Sequence, residues 1–309
     1  VGLASANNGV IRGWLQIDEP DNAQNGTEDP MPTADVIAAY EAMVDSDGTR
    51  PVFLNLGQGV ATDLWYGRGN RTGHPEDYAE YARGGDILSY DIYPMNVLPL
   101  ADTDGHEEWY TSYYAEVAES VWYVAVGMDR LREWSNYEKP VWMWIETTNY
   151  DGQDGFALTP DITKAEVWMA LVHGARGIGY FCHVFSPSFI EAGLLADADM
   201  AAGVHAINDQ IAELAPVLNT QSVANGVATA SSDEGVPVDT MVKREGGYTY
   251  LFAVSMRPGA TTATFTLRDF AGEATVDVLG ESRTLTAKDG VFSDDFANYG
   301  VHLYRVETP

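Results

Sequence analysis

Short apolar segments alternate with stretches of helical periodicity through the first two thirds of this chain, and that alternation restricts the fold more than any other feature. Five segments are predicted strands: 11–17, 51–56, 86–93, 140–145 and 177–182. Five stretches with an apolar residue every three or four positions are predicted helices: one capped by Thr33, one at 78–83, a long one through 117–131, one opened by Thr159 and Pro160, and one at 204–214 ended by Pro216. Such strand–helix units predict an α/β fold, a parallel sheet covered by helices.

The pattern changes after Asn219. Segments such as 248–254 and 263–267 alternate apolar and polar residues between turn residues, and no helical period is present. We therefore predict two domains, an α/β domain at 1–218 and a small all-β sandwich at 219–309.

Two architectures fit the first domain, an open doubly wound sheet and a (β/α)8 (TIM) barrel. An open sheet would normally carry a glycine-rich phosphate loop after a strand, but Gly57-Gln-Gly59 lacks the third glycine and a helix directly behind it. A barrel predicts polar residues at the carboxyl ends of several strands. Asp18-Glu19, Asp91 and Glu146 occupy such positions, which favours the barrel.

Glu19 and Glu146 are the predicted catalytic pair. Glycoside cleavage needs one carboxyl to protonate the leaving oxygen and another to attack the anomeric carbon or to activate water. In a chain with 46 Asp and Glu residues a given acid is usually on the surface. These two, however, directly follow apolar, aromatic-rich strands, so we expect them to face the mouth of the barrel.

These residues resemble the clan A glycoside hydrolases, which are retaining (β/α)8 barrels, and specifically their β-galactosidase-like members. Residues 14–20 (Trp-Leu-Gln-Ile-Asp-Glu-Pro) resemble the end of the clan's fourth strand, and residues 142–147 (Trp-Met-Trp-Ile-Glu-Thr) resemble the end of its seventh. Residues 165–185 and 208–218 resemble the seventh helix, eighth strand and eighth helix. The resemblance implies strands four to eight of the barrel, followed by a β-sandwich. It also implies that Glu19 is the general acid/base and Glu146 the nucleophile.

Two departures from the clan matter. Asp18 stands where the clan has an Asn that donates a hydrogen bond to the sugar 2-hydroxyl, and an ionised Asp only accepts. A different sugar orientation, a different 2-substituent or lost activity would follow. Strands one to three are also absent under this numbering. We expect roughly 100 residues before Val1, or a second chain, to complete the barrel, because an open remnant would expose apolar edges.

Eight further residues are predicted to bind substrate or to support the pair. Tyr93 would hydrogen-bond the nucleophile or pack at the barrel mouth, and Asp91 would be a structural carboxylate satisfied by the backbone. A lone His183 is more often a packed polar residue than a catalyst. The full set is Asp18, Asn55, Trp65, Asp91, Tyr93, Trp109, Tyr180 and His183.

Composition excludes several classes of function. The chain has 46 acidic against 17 basic residues and a net charge of −29, the opposite of what phosphate binding needs, so no nucleic-acid partner is predicted. A spread acidic surface indicates an extracellular protein from a salty environment, with an ordinary acidic secreted protein as the alternative. The single cysteine, Cys182, and six histidines without ligand spacing predict no metal and no cofactor. No apolar run reaches the roughly 20 residues of a membrane span.

The leading functional prediction is a retaining glycoside hydrolase that cleaves oligo- or polysaccharide by double displacement. The alternative is a catalytically inactive carbohydrate-binding or surface-assembly protein on the same barrel, a reading that Asp18 makes credible. A weaker alternative is a barrel hydrolase that acts on a non-glycosidic bond.

Overall fold

The computed structural model describes residues 9–24, 27–97, 108–152 and 157–308, without the side chains of Glu108 and Trp109. The chain forms two compact units, one of residues 1–157 and 174–189 and another of residues 158–173 and 190–309. These units describe which residues pack together and not which segments fold independently. The domain boundary predicted after residue 218 therefore stays a prediction.

A five-stranded parallel sheet forms the centre of the first unit. Its strands are β1 (Trp14–Leu15), β2 (Val52–Leu56), β3 (Ile87–Asp91), β4 (Val141–Glu146) and β5 (Gly177–Phe181), and they pair in the order β1-β2-β3-β4-β5. All five predicted strands are therefore present, although β1 is much shorter than the predicted 11–17. Because each strand pairs with its neighbour in sequence, the sheet has no point where the strand order reverses. This winding is that of a β/α barrel rather than of a doubly wound sheet.

Four helices of the described residues lie between β1 and β4 in sequence. They are α1 (Thr33–Ser46), α2 (Tyr78–Tyr81), α3 (Glu108–Val117) and α4 (Tyr123–Trp134). The single long helix predicted through 117–131 is wrong, because the chain leaves the helical conformation at Glu119, whose φ is +57°. Thr33 is the first helical residue rather than the cap, and Pro32 occupies the N-cap position.

One face of the sheet is buried under these helices. Leu54, Leu88 and Met143 on this face are fully inaccessible to solvent. The Tyr90 hydroxyl, also on this face, donates to the carbonyl of Val124 in α4. Burial of apolar side chains here contributes about 25 cal/mol per Å² of area removed from water.

The opposite face carries aromatic and polar side chains. A Cβ added to Gly177 would lie 2.3 Å from the ring of Trp142, and one added to Gly179 would lie 2.4 Å from the ring of Trp144. The two glycines of β5 therefore leave the space that the indoles occupy. The ring of Phe53 in β2 meets that of Trp142 edge to face, with centroids 5.4 Å apart.

This face is open to solvent along β1. Leu15 pairs with Phe53 in the parallel register, so its side chain lies on the same face, and it is 64% exposed. Ile17, two residues further on, is 45% exposed. Apolar side chains that would be internal in a closed barrel are thus uncovered here.

The second unit combines helices with an antiparallel sheet. Its helices are α5 (Pro160–Val172), α6 (Gly193–Ala196) and α7 (Ala198–Leu218). The predicted cap is confirmed, because the Thr159 hydroxyl accepts from the Ile162 amide at 3.3 Å. Pro216 does not end α7, which continues to Leu218.

Eight strands follow: β6 (Val227–Ser231), β7 (Val238–Glu245), β8 (Tyr248–Ser255), β9 (Thr261–Leu267), β10 (Glu273–Val278), β11 (Arg283–Lys288), β12 (Val291–Phe296) and β13 (Val301–Glu307). They pair in the order β6-β9-β12-β11-β10-β13-β8-β7, and β6 also lies against β7. The sheet therefore curls into a barrel-like β domain around one apolar core, close to the predicted sandwich. Phe265, Phe292 and Tyr304 are in that core.

The β domain also packs against the helix that opens the second unit. The ring of Trp168 in α5 stacks on that of Phe252 in β8, with centroids 5.2 Å apart. Both side chains are fully buried, so the helix and the sheet share apolar surface. Among the described residues, no helix is long and apolar enough to cross a bilayer.

Candidate active site

Glu19 lies in a strained turn directly after β1. Its φ is +43°, a left-handed conformation that costs a non-glycine residue about 1–3 kcal/mol, and it precedes Pro20. Two hydrogen bonds hold this backbone. The Glu19 amide donates to the Asn55 carbonyl at 3.1 Å, and Gln24 Nε2 donates to the Glu19 carbonyl at 2.9 Å. Such strain is concentrated at functional sites, where the surrounding structure maintains it.

The Glu19 carboxyl is largely buried but borders an open pocket. Burial raises its pKa, the nearby Asp91 side chain lowers it, and the Asp21 and Asp18 carboxylates raise it. Asn22 Nδ2 donates to Glu19 Oε2 at 2.8 Å and partly offsets this rise. The pocket has a volume of about 320 Å³ and is lined by Glu19, Asn22 and Met31, among others. The environment therefore keeps a proton on this carboxyl to higher pH than usual, at a position that a ligand can reach.

Trp65 reaches the site through Asn22. Trp65 Nε1 donates to Asn22 Oδ1 at 2.7 Å, and this contact orients the amide so that its nitrogen faces Glu19. The indole of Trp65 packs against the ring of Tyr113 with centroids 5.1 Å apart. The structure thus brings the predicted Trp65 to Glu19, with Asn22 between them.

Asp91 and Tyr93 form the second part of the site. The Tyr93 hydroxyl donates to Asp91 Oδ2 at 2.8 Å, and Asp91 Oδ1 is buried with no hydrogen-bond partner among the described residues. Two corrections to the sequence analysis follow. The hydrogen-bond partner of Asp91 among the described residues is the Tyr93 side chain rather than a backbone group, and Tyr93 donates to Asp91 instead of Glu146. Burial, together with the Glu19 charge, raises the pKa of Asp91 well above its usual range.

Glu146 ends β4 and is held by the short 3₁₀ turn Pro94–Asn96. The Met95 amide donates to Oε1 at 2.8 Å, and the Asn96 amide donates to Oε2 at 3.1 Å. Asn96 Nδ2 donates to the same Oε2 at 2.7 Å, and the Glu146 residue is 1% exposed. Hydrogen bonds from N–H groups to a carboxylate are short and strong, so these donors fix the carboxylate and stabilise its negative charge.

The carboxyl groups lie at one end of one sheet face. Asp91 pairs with Trp144 in the register, and Glu146 is two residues beyond Trp144, so Asp91 and Glu146 are on the same face of adjacent strands. Glu19 is close enough to Asp91 for its charge to raise the pKa of that carboxyl. The prediction that Glu19 and Glu146 act as a catalytic pair stays a prediction.

A network of hydrogen-bonded side chains crosses the sheet on the face that carries Asp91 and Glu146. Asn55 Nδ2 donates to Asp18 Oδ1 at 3.0 Å, and Ser89 Oγ donates to Asn55 Oδ1 at 2.6 Å. Trp144 Nε1 donates to Ser89 Oγ at 3.2 Å. Asp18 is thus an acceptor in this network, and its donor is the predicted binding residue Asn55.

Sequence reasoning missed a buried acid beside Glu19. Asp21 is 0% exposed, and it accepts from the Gly57 amide at 2.9 Å and from the Tyr78 hydroxyl at 2.8 Å. Burial raises the pKa of Asp21, although the Arg68 guanidinium and these donors oppose the rise. Asp21 connects the Glu19 turn to the loop after β2.

Tyr180 is not placed beside the carboxyl groups. The register pairs Tyr180 with Ile145 and Phe181 with Glu146, so the Tyr180 side chain is on the opposite face of the sheet from Glu146. Burial raises the pKa of Tyr180 to about 12. Trp109 is within α3, but its side chain is outside the described residues.

His183 belongs to an aromatic cluster that follows β5. Its ring meets that of Phe181 edge to face, with centroids 5.5 Å apart, and stacks on that of Phe189 at 5.9 Å. Its carbonyl accepts from the Thr148 hydroxyl at 2.7 Å, which ties this segment to the end of β4. Phe185 and Phe189 are 52% and 63% exposed, so the cluster is accessible from solvent.

Two amides that hold the carboxyl groups were also missed. Asn22 contacts Glu19, and Asn96 contacts Glu146, and both follow a proline by two residues: Pro20 and Pro94. In both cases the proline directly follows a residue at a strand end, Glu19 or Tyr93. An asparagine two residues after such a proline is the sequence signal that could have identified these amides. In the described part of the chain no cluster of three His, Cys, Asp or Glu residues could hold a metal ion.

Comparison with known proteins supports the fold. No protein-family model and no curated protein matches the chain. Among solved structures, an exo-carrageenase of family GH42 from Bacteroides ovatus matches over 90% of this chain and 56% of its own, with 9% identity and a TM-score of 0.52. A GH30 endoxylanase from Clostridium papyrosolvens matches over 98% of this chain and 67% of its own, with 14% identity and a TM-score of 0.48.

A third match, the family 30 xylanase from Clostridium acetobutylicum, covers 98% of this chain and 68% of its own, with 11% identity and a TM-score of 0.45. Of these three, the carrageenase exceeds a TM-score of 0.5, and at 9% identity it shows a shared fold alone. The fold is accordingly that of part of a TIM barrel followed by a C-terminal β domain.

Proposed function

We propose that this chain is a retaining glycoside hydrolase in which β1 to β5 correspond to the fourth to eighth strands of the barrel. One observation carries the proposal: a carboxyl group whose pKa is raised, Glu19, borders an open pocket at the sheet end where Glu146 is held by N–H donors. The substrate class is an oligo- or polysaccharide. The acid excess, spread over the sequence, supports an extracellular location in a salty environment.

The mechanism uses the two glutamates in two steps. Glu19 donates its proton to the leaving oxygen while a Glu146 oxygen attacks the anomeric carbon, which forms a glycosyl–enzyme ester and breaks the glycosidic bond. Glu19, now ionised, then removes a proton from water, and the resulting hydroxide displaces Glu146 from the anomeric carbon. The protonation states of both residues are restored. The N–H groups of Met95 and Asn96 hold Glu146 in a fixed orientation during the attack.

The experiment screens the wild-type chain on a panel of aryl glycosides and then compares Glu146→Ala with Glu138→Ala. Glu138 is an exposed acid shortly before β4, so it controls for loss of a carboxylate. Glu146→Ala should abolish turnover, and azide should restore part of it with inverted product because the small anion fills the vacated space. Circular dichroism checks that each variant is folded, and Glu146→Gln is a second variant of nearly equal volume.

Two outcomes contradict the proposal. One is near-normal turnover by folded Glu146→Ala. The other is a wild-type chain that binds saccharide but cleaves no member of the panel.

A catalytically inactive carbohydrate-binding protein is the second candidate. The observation that favours it is the environment of Glu146, which is 1% exposed with both oxygens already hydrogen-bonded. Isothermal titration with oligosaccharides would identify it. Binding without turnover, unchanged in Glu19→Gln, supports this candidate, whereas an affinity change in Glu19→Gln places the acid in the binding site.

We also propose that three further parallel strand–helix units, in this polypeptide or a second chain, cover the open sheet face. The exposure of Leu15 and Ile17 supports this, because eight strands close such a barrel. In a Cys182→Ser background, Leu15→Cys should react slowly with a thiol reagent in the purified protein. Val291→Cys, at an exposed apolar site of the β domain, should react quickly. Equally fast reaction at both positions would overturn the proposal.

A further inference from the structure

The Asn22 amide lies between the side chains of Trp65 and Glu19, and the chemistry of these two neighbours fixes its orientation. Trp65 Nε1 donates to Asn22 Oδ1 at 2.7 Å, and Asn22 Nδ2 donates to Glu19 Oε2 at 2.8 Å. An indole N–H is a donor only, so a flipped amide would place two donors against each other. The nitrogen of Asn22 therefore has to face Glu19.

The loops after β1 and β2 leave room for this amide and hold its backbone. A Cβ added to Gly57, which directly follows β2, would lie 2.7 Å from Asn22 Nδ2. The Asn22 N–H donates to the Glu19 carbonyl at 3.0 Å, which closes the turn. The neighbouring Ala23 N–H donates to the Gly67 carbonyl at 2.8 Å. Asn22 is thus held in place from both loops.

Aromatic packing holds the Trp65 indole against Asn22. The centroid of its ring lies 5.1 Å from that of Tyr113 in α3 and 4.8 Å from that of Tyr66. Tyr113 is 1% exposed, and its hydroxyl donates to Gln58 Oε1. The donor that orients Asn22 is therefore itself held by a buried aromatic neighbour.

We infer that Asn22 and Trp65 are positioning residues that hold the Glu19 carboxyl, Asn22 by direct contact and Trp65 through Asn22. Their effect on catalysis rests on the proposed function, in which Glu19 is the general acid and base. An amide suits this task because it is a neutral donor that can hydrogen-bond either protonation state of the carboxyl. A cationic donor in its place would stabilise the ionised form and oppose retention of the proton that the leaving group needs.

The indole N–H resonances test the coupling of Trp65 to Glu19 without a substrate. In a proton–nitrogen correlation spectrum, the Trp65 signal is the one that Trp65→Phe removes. Glu19→Ala should shift this signal in the wild-type background, because the Asn22 amide loses the acceptor that holds its nitrogen. The same change in an Asn22→Leu background, which is isosteric but has no polar atoms, should leave the signal unmoved.

Two results would overturn the inference. One is a Trp65 signal that does not respond to Glu19→Ala, and the other is a signal that responds equally with and without the Asn22 amide. Circular dichroism checks that each variant is folded, and Asn22→Ala replaces Asn22→Leu if the latter is not.

Kinetics on any aryl glycoside that the wild-type chain cleaves measure the positioning effect. Trp65→Phe keeps an aromatic ring but removes the N–H, and it should lower kcat about ten- to hundred-fold with little change in KM, because a misplaced catalytic group costs about that much. Adding Trp65→Phe to Asn22→Leu should cause no further loss, since Trp65 acts through Asn22. Trp14→Phe removes a comparable indole donor, the one to Asp47 Oδ2 at 3.1 Å, and should leave kcat unchanged.

These measurements separate the inference from the proposed function. Additive losses in the double variant, or an effect of Trp65→Phe on KM alone, would contradict a positioning role. If the Trp65 signal behaves as expected but no glycoside is cleaved, the coupling of Trp65 to Glu19 stands and the hydrolase proposal fails. If azide rescues Glu146→Ala but the Trp65 signal does not respond to Glu19→Ala, the hydrolase proposal stands and this inference fails.

Discussion

Replacing Asn96 by Asp would test how strongly the turn after β3 holds Glu146. The Asn96 amide nitrogen donates to Glu146 Oε2 at 2.7 Å and to the Thr148 carbonyl at 3.0 Å, and the residue is 2% exposed. A carboxylate in its place donates to neither and adds a buried charge beside Glu146. A hydrogen bond to a charged group contributes about 1.5–3 kcal/mol and a neutral one about 0.5–1.5 kcal/mol, so the free energy of unfolding should fall by about 2–4.5 kcal/mol at neutral pH.

The loss should depend on pH in a defined direction. The introduced Asp would have a higher pKa in the folded than in the unfolded protein, because the folded state places it against a second carboxylate. Its protonation therefore favours folding at pH values below the unfolded pKa, and that contribution is lost as the pH rises through the folded pKa. Asn96→Asp should be closest to wild type in acid and should deviate most at neutral pH.

Urea unfolding followed by tryptophan fluorescence measures this difference, with Asn70→Asp as the matched control. Asn70 is exposed in the same unit, so the same change in charge there should alter stability by less than about 0.5 kcal/mol. The reasoning would be refuted if both variants unfolded at the same urea concentration at neutral pH, because the contacts of Asn96 would then contribute nothing to stability.

Three further predictions concern packing, burial and charge. Gly179→Ala places a Cβ 2.4 Å from the Trp144 ring and should cost about 1–3 kcal/mol by urea unfolding, whereas Gly9→Ala, with no atom within 4 Å, should be neutral. Tyr78→Phe removes a donor from fully buried Asp21 and should lower stability by about 1–3 kcal/mol, and an unchanged urea midpoint would show that this hydrogen bond contributes nothing. Raising KCl to about 1 M should increase the Tm, since the net charge of −29 is then screened within about 3 Å; a Tm that falls with salt would contradict a halophilic surface.

Periodicity was sufficient to predict the strands of the first unit, and the polar residues at strand ends favoured its barrel winding. Each strand has apolar residues on a face that helices cover, as at Leu54 and Leu88, and this pattern is visible in the sequence. The break between α3 and α4 was missed because apolar residues continue across it. Glu119, an ordinary residue with positive φ, gave no sign of a turn. Pro216 led to the opposite error, because the helix was predicted to end there but continues to Leu218. A proline in the last turn removes few helical hydrogen bonds.

The sequence predicted the site residues that lie at the ends of strands, but not the side chains that hydrogen-bond them. Glu19 and Glu146 were found because acids after apolar strands are visible in sequence. The partner of Glu146 was not found, because Asn96 is 50 residues from Glu146 along the chain. The donor to Asp91 was assigned to the wrong acceptor for the same reason. Which of two nearby carboxyl groups a tyrosine hydroxyl meets depends on rotamers that no spacing encodes.

The chain enters and leaves its two compact units several times, and this affects how the protein can be divided. The α5 helix follows β4 and precedes β5 in sequence, yet its Trp168 stacks on Phe252 of the β domain. A cut after residue 218 would therefore strip α5 of an aromatic partner while leaving it attached on both sides to strands of the parallel sheet. A gene fusion that keeps the C-terminal sheet together with the segment that begins at residue 158 would therefore preserve this aromatic contact.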